Sequence, residues 1–173
     1  MRRSFIGLFI TLATLTAARS VAVTADPELR YTGSAGCGDV FLYGFNQNHT
    51  EALLVRVDLK RLNLGVGTHV VNVADAKDAI TIQVDEYRTP QDPLPYCTDI
   101  AVPGAERASS KWRASAGKAT LTIGERGAVA GSPAFMYKAT VQLDDLVFVD
   151  SDGRTLRAPA PITLTGTVGW VVG

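Results

Sequence analysis

The stretch Phe135-Met136-Tyr137-Lys138-Ala139-Thr140-Val141-Gln142-Leu143-Asp144 decides the fold. Its odd positions, Phe135, Tyr137, Ala139, Val141 and Leu143, are apolar, while Lys138, Thr140, Gln142 and Asp144 between them are polar. Successive side chains of an extended strand point to opposite faces, so this alternation puts one face in a core and the other in water. A helix repeats every 3.6 residues and would scatter the same positions around its circumference.

The same period recurs on both sides of this stretch. It is carried by Leu53, Val55, Val57 and Leu59, by Ile80, Ile82 and Val84, by Ala119, Leu121 and Ile123, and by Ile162, Leu164, Val168 and Trp170. Val40–Asn46 is apolar on both faces, with Phe41, Tyr43 and Phe45 on one side, and is expected to be a central, doubly covered strand. Thr68–Ala74 is rich in Val, and Lys111–Ser115 carries Trp112. Leu146–Val149 and Arg154–Arg157 have the layout of a hairpin. Eight or more strands without a helical period predict an all-β fold, a single antiparallel β-sandwich, with a closed β-barrel as the alternative.

The connections are legible too. Asn46–Thr50 is a hairpin turn, and Gly124–Pro133 is a Gly-rich excursion before the longest strand. Tyr87–Tyr96 holds Pro90, Pro93 and Pro95. Proline cannot donate to a sheet ladder, so this segment is expected to be a stiff surface loop leading into Cys97.

The chain has 173 residues with 17 Lys+Arg against 17 Asp+Glu, a length suited to one domain and a balance without the basic surplus of a nucleic-acid binder. The first 25 residues set that balance. Arg2 and Arg3, an apolar run from Phe5 to Leu15, and small residues ending at Ala25 form the layout of an export signal. The Arg pair keeps both general secretion and twin-arginine export open. The expected division is a signal peptide over 1–25 and a β-sandwich domain over 26–173, the latter with net charge −3. The apolar run is too short to span a bilayer, and no later stretch does so, which predicts an exported protein, periplasmic or extracellular, without a membrane span. Cys37 and Cys97 are the two cysteines, and in an oxidising compartment they are expected to form one disulfide.

Catalytic and ligand-binding patterns are sparse. His49 and His69 are the two histidines, and a zinc site needs three or four converging ligands. No Gly-x-Ser-x-Gly elbow is present. Asp85 and Glu86 should point to opposite faces, and Asp145 and Asp150 lie too far apart in an extended chain for a glycosidase pair. No catalytic residue and no cofactor is assigned. Asp150-Ser151-Asp152-Gly153 is first a tight hairpin, and second a candidate calcium site through Asp150 and Asp152 with Asp144 or Asp145 helping. Tyr87 and Tyr96 bracket the proline loop, and with Trp112 they are the candidate ligand-binding residues, since aromatic rings stack on sugars and peptides.

Gly117-Lys118-Ala119-Thr120-Leu121-Thr122-Ile123, the Tyr137–Leu143 strand and the Thr-rich terminal strand resemble small exported bacterial β-sandwich proteins of unknown function. The resemblance covers the C-terminal part of the chain and implies the fold without transferring a catalytic residue. The terminal Trp170-Val171-Val172-Gly173 departs from chaperone-assembled pilins and from outer-membrane barrels, and Trp112 after both cysteines departs from immunoglobulin domains. The expected role is a non-catalytic binding or scaffolding module for a protein or carbohydrate partner, with no nucleic acid. The alternatives are a subunit of a surface assembly or a carboxylate-dependent hydrolase.

Overall fold

The computed structural model describes residues 31–91, 96–97, 106–128, 135–158 and 161–170. The expected signal segment 1–25 lies outside the described residues, as do positions 92–95 of the proline loop. The described chain is all-β, with strands β1 (Thr32–Cys37), β2 (Phe41–Phe45), β3 (Glu51–Val57), β4 (Gly67–Asn72), β5 (Ile80–Glu86), β6 (Ser110–Ile123), β7 (Gly127–Ala128), β8 (Phe135–Val149), β9 (Thr155–Arg157) and β10 (Ile162–Trp170). Among the described residues no helix is long and apolar enough to cross a membrane.

All strands belong to one antiparallel sheet with the order β1-β2-β3-β5-β6-β8-β10. The sheet curls until its ends meet. The Ser34 hydroxyl on β1 donates to the Thr165 carbonyl on β10 at 2.7 Å and accepts the Thr165 N–H at 3.1 Å. The Gly169 N–H reaches the Gly38 carbonyl at 2.7 Å. The result is a nearly closed, barrel-like sheet. Close approach at the seam requires glycine: a Cβ on Gly166 would stand 2.8 Å from Leu42 Cδ2 and 3.0 Å from the Gly36 nitrogen.

The two longest strands let one sheet wrap a single interior. One edge of β6 pairs with β5 through Ser110–Arg113 and then with β4 through Lys118–Ile123, while its other edge follows β8. β8 in turn pairs with β10 along Phe135–Leu143 and with β9 along Val147–Val149. The register shifts between Ala114 and Ala116 and again between Ala116 and Lys118. Gly117 adopts φ 126° there, and Asp145 opposite adopts φ 54°. Such bulges bend a strand and raise its twist. They also change which parity faces inward: Trp112 and Ala114 before the bulge, Ala119, Leu121 and Ile123 after it. On β8 the inward set passes from Tyr137–Leu143 to Leu146 and Phe148. Lys111–Ser115 and Ala119–Ile123 are therefore parts of one strand.

Leu42, Leu53, Val55, Val141, Leu164 and Val168 are fully enclosed. Each large apolar side chain moved out of water contributes about 1.5–3 kcal/mol. A second apolar layer lies on the outer face of β2 and β3, built from Phe41, Tyr43, Phe45, Ala52 and Leu54. All five residues of β2 are buried, as expected of a doubly covered strand. Cys37 and Cys97 form the disulfide with Cα atoms 5.9 Å apart, closing a sequence separation of 60. Loop-closure entropy for that length corresponds to roughly 4 kcal/mol.

Candidate functional site

The disulfide holds the end of the proline loop against β1, and the loop delivers Tyr96 onto the outer aromatic layer. Tyr96 stacks on Phe45 with ring centres 5.9 Å apart and meets Tyr43 and Phe41 edge-on at 5.2 and 6.2 Å. Its hydroxyl is hydrogen-bonded to that of Tyr87. Burial, followed by the Tyr87 hydroxyl, pushes the Tyr96 phenol well above its ordinary value, so it stays neutral. The start of the loop is pinned as well. Glu106 accepts the Arg88 and Thr89 N–H groups at 3.2 and 3.3 Å and the Gln91 side-chain amide at 3.1 Å. The Gln91 N–H donates to the His49 carbonyl at 2.8 Å. Hydrogen bonds from Thr89 and Arg88 hold the Glu106 carboxyl below the usual carboxylate range.

Beside Tyr96 the outer face of β3, β5 and β6 is hollowed. One hollow of about 530 Å³ runs from Asp39 and Phe41 past Arg56 to Asp58, Asp78 and Thr81. A second of about 410 Å³ is lined by Leu54, Gln83, Asp85, Lys111 and Arg113. Both also include Arg56, Thr81 and Tyr96, so they adjoin along one wall. Strand register explains the grouping: Arg56 lies opposite Thr81, Gln83 opposite Arg113, and Asp85 opposite Lys111. Ionic and amide side chains thus line a groove whose wall is aromatic. The Arg56 guanidinium rests 4.6 Å over the Phe41 ring. Asp85 is buried, accepts from the Gln83 amide, and lies 3.8 Å from Lys111.

Among the residues singled out from sequence, Tyr87 and Tyr96 come together on this outer face. Trp112 does not join them. It faces the interior side of β6, opposite Val84, donates its indole N–H to Glu86 at 2.9 Å, and lies under the Arg154 guanidinium at 5.5 Å. Asp85 and Glu86 point to opposite faces, as their adjacency in a strand requires.

Asp150 organises the β8–β9 turn. Its Oδ1 accepts the N–H groups of Asp152 at 3.0 Å and Arg154 at 2.8 Å, and its Oδ2 lies 2.5 Å from the Arg154 guanidinium. Burial alone would raise its pKa, but the Arg154 N–H and guanidinium and the Asp152 N–H outweigh it and hold the carboxyl below its ordinary value. Asp152 is exposed, 3.7 Å from the same guanidinium. Among the described residues no three His, Cys, Asp or Glu side chains gather as a metal-binding group. Asp144 accepts from the Gln142 amide at 3.1 Å, away from that turn.

Arg56, Thr81, Gln83, Lys111 and Arg113 are the groove residues that sequence patterning does not single out. Each is an ordinary outward position of its own strand, and only the pairing of three strands assembles them. No protein-family model, curated protein or solved structure matches the chain.

Proposed function

We propose that the protein is an exported, non-catalytic binding module, and that its ligand is a short saccharide held in the groove beside Tyr96. The observation that carries this reading is the pair of adjoining hollows sharing Arg56, Thr81 and Tyr96. Planar amide, carboxylate and guanidinium groups satisfy the dense hydroxyls of a sugar, and an aromatic wall receives its C–H face. Tyr96 is anchored by its neighbour Cys97 and by three aromatic rings. A wall that is ordered before the ligand arrives lowers the entropy cost of binding. The export layout of the first 25 residues and the disulfide support a site that works outside the cytosol.

The test is calorimetric titration of the folded protein with neutral and acidic oligosaccharides of four to six sugars. Binding to at least one is expected, with Tyr96→Ala weakening it at least tenfold. Trp112→Phe, on the other side of the sheet, is expected to leave affinity unchanged. Circular dichroism establishes that both variants fold. Absence of binding to every oligosaccharide, or affinity indifferent to Tyr96→Ala, overturns the proposal.

A further inference from the structure

Building on the saccharide groove, we infer that its ligand alternates acidic and neutral sugars, with one acid between Arg56 and Arg113 and neutral hydroxyls toward Asp39 and Asp78. The groove is electrically divided. Around Thr81 and Gln83 stand Arg56, Lys111 and Arg113 against the single carboxylate of Asp85. Asp85 is already engaged by Gln83 and lies near Lys111. Arg56 and Arg113 form no ion pair among the described residues, and both are exposed. At the other end the lining carboxylates are Asp39, Asp58 and Asp78. Asp58 accepts the Arg61 N–H at 3.0 Å and lies 3.9 Å from the Arg61 guanidinium, which also donates to the Asp78 carbonyl at 2.7 Å. Three carboxylates thus face one cation here, and the Asp39 and Asp78 side chains are open to solvent.

The two arginines flank β5 from opposite sides, Arg56 opposite Thr81 and Arg113 opposite Gln83. Arg56 and Arg113 lie two strands apart and two residues out of line, which places their Cα atoms about 12 Å apart on strand spacings of about 4.8 Å and about 3.3 Å per residue. Both side chains line the hollow that also includes Thr81 and Gln83, so an acid lying across β5 has a guanidinium on either side. Guanidinium forks bind carboxylates and sulfates through paired N–H groups, a geometry that an ammonium does not reproduce. Phe41 supports Arg56 from beneath through the ring contact at 4.6 Å.

Charge complementarity then selects among ligands. A uniformly anionic polymer gains at the arginine end and is repelled at the aspartate end. A neutral sugar donates hydroxyls to Asp39 and Asp78 but leaves the guanidinium groups without a counter-charge. An alternating acidic–neutral saccharide satisfies both ends and has one favoured direction in the groove. An acidic peptide meets the arginines but offers few hydroxyl donors to the aspartates.

The experiment uses the folded chain with four probes: hyaluronan hexasaccharide, which alternates glucuronate and N-acetylglucosamine, oligogalacturonate, maltohexaose and polyglutamate. The hyaluronan hexasaccharide is expected to bind at least tenfold more tightly than the other three. The double variant Arg56→Gln/Arg113→Gln should lose at least tenfold of that affinity, and Arg56→Lys/Arg113→Lys should recover only part of it. Lys138→Gln, which removes a positive charge outside the groove lining, should have no effect. Raising salt should weaken binding, because exposed charges are screened over about 8–10 Å. Maltohexaose binding equally well, sensitive to Tyr96→Ala and indifferent to the arginine variants, overturns this inference while leaving the saccharide groove intact. Tighter binding of oligogalacturonate overturns the divided-charge reading. Binding of polyglutamate alone, or of no probe, overturns both proposals.

Discussion

Asp150 shows how one side chain can hold a hairpin. The carboxylate takes two backbone N–H groups and the Arg154 side chain while its own side chain is almost withdrawn from water. Its folded-state pKa is depressed, so its stabilisation is present above the unfolded value near 3.8 and is lost as pH falls through the folded value. Acid titration should therefore erode the melting temperature below about pH 4. Asp150→Asn should lower the melting temperature at pH 7 and flatten that acid limb, as read by calorimetry across the pH range. The same residue could be flagged from Asp-Ser-Asp-Gly as turn or metal ligand. What the pattern could not show was Arg154, four positions on, supplying the positive charge at short range.

At the scale of the element, Gly117 decides whether β6 is one strand. A Cβ there would lie 2.7 Å from Leu146 Cδ2 and 3.0 Å from the Asp144 carbonyl, at a φ that L-residues avoid. Gly117→Ala should cost about 1–3 kcal/mol, measured as the shift in a urea unfolding curve. The alternation in Tyr137–Leu143 and Ala119–Ile123 was legible because every second residue meets the same interior. The joins at Gly117 and Asp145 were not, because a bulge reverses parity and so imitates the end of a strand. The doubly covered β2 was legible from the unbroken apolar run Phe41, Leu42 and Tyr43. Half of the groove was legible as well. Tyr96 is marked by the prolines and by Cys97 beside it. Arg56 and Arg113 come from strands separated by 57 positions of chain, and no local spacing links them.

For the molecule as a whole, the tyrosines share one fate. The chain has five, Tyr31, Tyr43, Tyr87, Tyr96 and Tyr137. Each has its phenol pKa raised, with burial the leading cause. Tyr31 is held up further by a hydrogen bond to Glu51, and Tyr137 by Asp39, whose carbonyl accepts its hydroxyl. A raised folded-state pKa stabilises the protein below the unfolded value of about 10 and ceases to do so as pH climbs through the folded values. Phenolate absorbance should therefore stay low just above pH 10 and then rise together with loss of near-ultraviolet circular dichroism. Gradual ionisation near pH 10, with the fold intact, would contradict this arrangement.

The seam between β1 and β10 has a consequence for how the chain is made. Ser34 and Thr165, which bond across it, are 131 residues apart in sequence. Contacts between remote segments form late, since the loop between them must be ordered first. A ribosome delivers β1 131 residues before its partner on β10, so over that interval a nascent sheet has two unpaired margins. Those margins are the surfaces on which strands of different molecules add to one another. The interval between the emergence of Ser34 and that of Thr165 is thus the window in which those margins stand open to other chains.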